Sequence, residues 1–218
     1  MTIRSVSVGL LLWLSCGVAT AQVTSYSCQA LGGTNCTVRI PDAPQAGIAS
    51  TMQIPAAAAA ACTTQATMSV QLNIVHNWVG DLQATVSNPS ATSATLMSNI
   101  AGAGVGGCQG SDINAGFRDG AGTPTCGGLI PSISGTVGPV SPLAPLALAH
   151  GVPAGTWTLN LADTGNDHDG ALIDWSVQVN CAASAIPATS PTANLWIVLL
   201  LALFAVVALS RRRVTKPN

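Results

Sequence analysis

The chain has 218 residues, of which 48% are hydrophobic and only 7% charged, with a formal net charge of −1. Between Gln22 and Ala193 it carries eight Asp, no Glu, no Lys, and only Arg39 and Arg118, a formal −6 over that stretch. This balance excludes a nucleic-acid partner, which needs the opposite sign; it suits bound divalent cations and solvated surface charge alike.

Residues 1–21 predict a signal peptide: Arg4, an apolar run from Val8 to Leu14, then the small residues of Ala19-Thr20-Ala21, with cleavage before Gln22. A rival reading lipidates Cys16, for which Trp13-Leu14-Ser15 is a poor match to the small, apolar approach such a signal needs. Six cysteines then remain, an even set that reads as the disulfides of an exported domain. The preferred pairs are Cys28–Cys36 and Cys108–Cys126, which close local loops, and Cys62–Cys181, which ties the strand before Met68 to the end of the last strand. No C-x-x-C occurs, so zinc and thioredoxin-like readings are weak.

Residues 22–38 read as a disulfide-containing N-terminal segment and residues 39–181 as one β-sandwich. Met68 to Val75, Trp157 to Ala162 and Ile173 to Asn180 alternate apolar and polar residues at period two, the pattern of half-buried antiparallel strands. Weaker strands are expected at Ile48 to Ile54, Leu82 to Val86 and Ala94 to Met97, each bounded by turn residues. Ala56 to Ala61 predicts one or two helical turns, because Pro55 precedes it and Cys62 follows. From Ile100 to Pro153 the Gly- and Pro-rich chain gives no clear element, and a connection of that length is functional or stapled. Residues 182–193, with Pro187 and Pro191, read as a linker. Residues 194–210 then read as a transmembrane or sorting helix, and residues 211–218, led by Arg211, Arg212 and Arg213, as a basic cytoplasmic tail.

The residues also match a known family. Val70 to Leu82, with His76 and Gly80-Asp81, and then Ser87-Asn88-Pro89, resemble the opening of the P/Homo B domain of proprotein convertases. Phe117-Arg118-Asp119, Pro142-Leu143, Gly155 to Leu159, Asp163 and Gly170 to Val177 resemble its later landmarks in the same order, and Ile40-Pro41-Asp42 its beginning. The resemblance implies an all-β jelly-roll sandwich of about eight strands. Such domains are found beside subtilisin-like serine endopeptidases and often bind calcium. This chain departs from that setting: it has no room for a subtilisin-type catalytic domain, and its histidines are His76, His150 and His168 alone. Ile186 to Ser190, followed by the apolar run and the arginines, is similar to an exosortase sorting signal, although Ala188 and Thr189 depart from the usual motif. A plain single-span anchor is the alternative; with processing, the product passes to the cell surface or matrix.

The densest ligand group is Asp163-Thr164-Gly165-Asn166-Asp167-His168-Asp169-Gly170, between two predicted strands. Asp163, Asp167 and Asp169, with Asp119 and Asp81 from neighbouring loops, are the candidate calcium ligands, since calcium takes about 6–8 oxygens from such groups. The spacing is not that of an EF-hand, and a solvated acidic turn is the competing reading. Trp78, Trp157 and Trp175 would form a sugar platform if exposed on one sheet face, but the alternating strand positions of Trp157 and Trp175 favour core packing. No Gly-x-Ser-x-Gly elbow nominates a nucleophile. The expected function is therefore a non-catalytic exported surface module, stabilised by calcium and supporting protein interaction or stability. Its expected partners are the membrane through the C-terminal helix, a sorting peptidase, and a separate serine protease or a surface component. A carbohydrate-binding matrix module is a further alternative.

Overall fold

The computed structural model describes residues 21–43, 45–102 and 107–183. Ten strands follow in chain order: β1 (Gln22–Ser27), β2 (Val38–Ile40), β3 (Ile48–Ile54), β4 (Ala66–His76), β5 (Leu82–Ser87), β6 (Ser93–Ser98), β7 (Ile113–Arg118), β8 (Ile133–Val137), β9 (Gly155–Asp163) and β10 (Gly170–Cys181). One sheet runs β1-β10-β4-β7-β8, with β2 also on β10, and the other runs β3-β9-β5-β6. All pairs are antiparallel except β7 with β8.

The sheets meet because every strong strand hides alternate residues. Along β4, Met68, Val70, Leu72 and Ile74 are buried while Gln71 and Asn73 are only half-buried. Trp157 on β9 and Trp175 on β10 are among the largest fully buried side chains of a single core that both sheets share. Each indole N–H finds an acceptor, Pro153 O at 2.9 Å and Ser50 Oγ at 2.8 Å, so burying it leaves no unpaired donor. The second of these bonds crosses from one sheet to the other.

The stretch from Ile100 to Pro153 holds β7 and β8. β7 alternates in burial, but Asn114 and Gly116 mask it in the sequence; β8 buries only Ile133 and Val137 and carries Gly135 at a φ of 74°. The alanine run after Pro55 is a short 3-10 turn over Ala56–Ala60, pinned where Val152 N–H donates to Ala58 O at 3.0 Å. The sheet also begins earlier than Arg39: β1 pairs along its whole length with β10, from Gln22 opposite Cys181 to Ser27 opposite Ser176.

The disulfides are Cys28–Cys36, Cys62–Cys181 and Cys108–Cys126. Three cystines in one small domain belong to an oxidising compartment, as in exported proteins. No helix of the described residues is long and apolar enough to cross a membrane. The expected signal peptide, apart from Ala21, and the expected helix and tail lie outside the described residues.

The strand register gives the sandwich two distinct ends. Gln22, Ala66 and Cys181 are aligned at one, where the described chain begins and finishes. Ile40, His76 and Gly170 are aligned at the other, roughly 36 Å away along the 12 residues of β10.

Candidate functional site

The end bearing His76 is built on one buried polar pair. β4 delivers His76 and β9 delivers Asp163 from opposite sheets, and Nε2 lies 2.9 Å from Oδ2 with both side chains fully buried. The Trp78 backbone N–H donates to Nδ1 at 3.1 Å, which places the ring proton on Nε2, aimed at the carboxylate. The other carboxylate oxygen accepts the Gly165 N–H at 2.9 Å. Gly170, opposite His76 in the register, is glycine for a steric reason: a Cβ there would run into the imidazole ring.

Around this pair the loop from Asp163 to Gly170 folds onto Asp81. The Asp81 carbonyl accepts the Thr164 N–H at 3.0 Å and its hydroxyl at 2.8 Å, and Gly165 lies so close to the Asp81 carboxylate that a Cβ there would displace it. His168 stacks on Trp78 with ring centroids 4.8 Å apart, and its Nδ1 is 3.7 Å from Asp81 Oδ2. Asp169 is held by the Arg39 guanidinium in an exposed ion pair, and Asp167 is exposed at the turn with a φ of 69°. The spacing alone indicates neither Arg39 nor Asp112 as part of this end. Asp112 accepts the His76 N–H at 3.0 Å from 36 residues away, a relation only the fold creates.

The expected set of five calcium ligands does not assemble. Asp119 is the clear correction: Arg118 pairs with Ser69, seven residues before His76 on β4, so Asp119 sits roughly 23 Å along the strand from the acidic loop. There its carboxylate accepts the backbone N–H groups of Leu143 and Ala144 at 2.9–3.1 Å. Both Asp163 oxygens are engaged by His76 and Gly165, and Asp169 is neutralised by Arg39. Of the five, Asp81 and Asp167 remain, and a calcium ion here would draw the rest of its shell from backbone carbonyls and water. No group of three or more His, Cys, Asp or Glu side chains arranged to hold a metal is present among the described residues.

Asp81 has an electrostatic signature of this crowding. Burial, and then the Asp163 carboxylate, push its carboxyl above the ordinary range, against the smaller opposing pull of His168 and His76. A carboxyl raised in the folded state is charged at a cost on folding. Its contribution to stability is therefore most favourable below about pH 4 and declines as pH rises through the folded value. Asp169 works in the opposite sense, because the Arg39 hydrogen bond holds it below the ordinary range. We expect Asp81→Asn to gain on the wild type as pH rises from about 4 to neutrality in urea unfolding. Parallel stability curves for the two proteins would contradict this.

The remaining candidates are placed elsewhere. His150 is exposed, with Nδ1 3.0 Å from Thr64 O. No serine or threonine hydroxyl is hydrogen-bonded to a histidine ring among the described residues. Trp157 and Trp175 lie in the core and Trp78 lies half-buried against His168, so the three tryptophans share no exposed face.

No family model matches the chain, and no curated protein matches it. Among solved structures it is similar to the Aeromonas sobria serine protease in complex with its chaperone, at 15% identity and a TM-score of 0.40, over 78% of this chain and 28% of that one. The Aeromonas sobria serine protease solved without the chaperone gives 15% identity and a TM-score of 0.37, over 75% and 27%. The chain thus spans little more than a quarter of the length of either structure, and likeness at this level carries no assignment.

Proposed function

We propose that the chain is a non-catalytic exported module, a jelly-roll-type sandwich that supports protein interaction or stability at the cell surface. The observation that carries this reading is the state of His76. It is the histidine that the sequence resemblance singles out beside Gly80-Asp81, yet its ring is fully buried and both its nitrogens are engaged, by Trp78 and Asp163. A general base must reach a substrate proton, and this ring cross-braces two sheets instead. The second reading, a module serving a separate serine protease, rests on the ordered P-domain landmarks from Ile40 to Val177.

In the same reading the chain's own donors, Arg39 and His76, hold the acidic loop. Arg39 neutralises Asp169, and the His76 N–H satisfies Asp163. Thermal unfolding of the full chain should therefore give the same midpoint in excess calcium and in chelator, since a ligand bound only to the folded state would raise it. A calcium-specific rise would overturn this assignment of the loop. Casein and ester substrates should not be hydrolysed; turnover that disappears on substituting one Ser or His would overturn the non-catalytic reading itself.

A further inference from the structure

The segment just after Cys126 presents two adjacent apolar side chains to solvent, Leu129 at 83% and Ile130 at 73% exposure. They are held in place. The Cys108–Cys126 disulfide tethers the start of this segment, the Gly127 N–H donates to Ser132 O at 2.9 Å, and the Ser132 N–H donates to Ser111 O at 2.8 Å. Beneath them runs a groove of about 460 Å3 between the 107–111 segment and the 126–130 segment. The first of those segments is bonded to the turn after His76, through Val79 N–H to Gly110 O at 3.0 Å and Gly80 N–H to Cys108 O at 2.9 Å. The apolar pair therefore belongs to the same end of the sandwich as the acidic loop.

That end also gathers most of the domain's charge. Asp42 follows β2, Asp81 precedes β5, Asp112 precedes β7, and Asp163, Asp167 and Asp169 lie at the β9–β10 turn, against Arg39 as the fixed cation. A pinned apolar knob beside an acidic field is what a basic protein surface with an apolar cleft would complement. An anionic bilayer is repelled by the same field, and a second copy would bring two such acidic ends together. We propose that this end docks a protein partner whose contact surface is basic around an apolar cleft, with Leu129 and Ile130 as the anchors. The proposal rests on the reading of the chain as an interaction module and names the face and the partner's chemistry.

The test uses the full chain and a fluorescent amphipathic peptide of lysine and leucine, with a glutamate and leucine peptide as its counterpart. The lysine peptide binds, the glutamate peptide does not, and raising salt from about 0.05 to 0.5 M weakens binding. The paired change Leu129→Ser with Ile130→Ser weakens binding about tenfold with an unchanged unfolding midpoint, as loss of an interface anchor does. Val23→Ser, an exposed apolar residue at the opposite end, leaves binding unchanged. Unaltered binding by the Leu129/Ile130 variant overturns the proposal, as does equal binding of the glutamate peptide. So does uptake on phosphatidylcholine vesicles, or a dimer in sedimentation, that depends on the same two residues. Binding lost only with Val23→Ser would move the face to the other end and leave the interaction-module reading standing.

Discussion

Replacing Cys62 and Cys181 together by serine lowers the stability of the domain by about 5 kcal/mol, more than removing either other disulfide. The reason lies in chain entropy: this bridge closes a separation of 119 residues, against 18 for Cys108–Cys126 and 8 for Cys28–Cys36. The same estimate gives about 3 and about 2.5 kcal/mol for the shorter loops. Since a domain of this size holds about 5–15 kcal/mol in all, the long bridge is the one whose loss leaves little folded protein. Guanidinium unfolding of the three double-serine variants checks the order. Equal losses, or the largest loss at Cys28–Cys36, would refute it.

The second large effect is expected at His76. His76→Ala removes the Nε2–H that faces Asp163 and leaves a fully buried carboxylate short of a donor, at a cost of about 3 kcal/mol, the upper end for an unsatisfied buried acceptor. It also strips the Trp78 N–H of its acceptor and leaves a cavity beside Gly170. Adding Asp163→Ala should recover part of the loss, because the uncompensated charge goes with it. The two changes should thus be non-additive by more than about 0.5 kcal/mol in urea unfolding. Additive losses would mean that the pair packs but does not interact.

The strands were legible wherever burial follows a simple alternation. β3 reads out residue for residue because Ser50, Met52 and Ile54 turn inward between exposed or half-buried neighbours, and β4, β9 and β10 carry the same period with larger side chains. β8 was not legible, because three of its five residues face solvent and its centre is a glycine that packs nothing. β1 was hidden for another reason: it is an edge strand with no fully buried residue, and only its pairing with β10 defines it. The acidic loop stood out as composition, but its partners did not. Asp119 followed the sequence into the wrong end because nothing local tells that β7 runs away from His76, and the Arg39–Asp169 pair joins residues 130 apart. Long-range electrostatics of this kind is written in the register of strands, which period-two patterns do not carry.

The last strand among the described residues, β10, lies inside its sheet, paired with β1, β2 and β4. Until residue 181 is free, the strands at positions 22 and 66 have no common neighbour and Cys62 lacks its own partner sulfur. Completion of this sheet therefore waits for β10, through distant pairings of the kind that fold slowly. For an exported chain, this leaves the first sheet open and the Cys62 thiol without its native partner until residue 181 emerges.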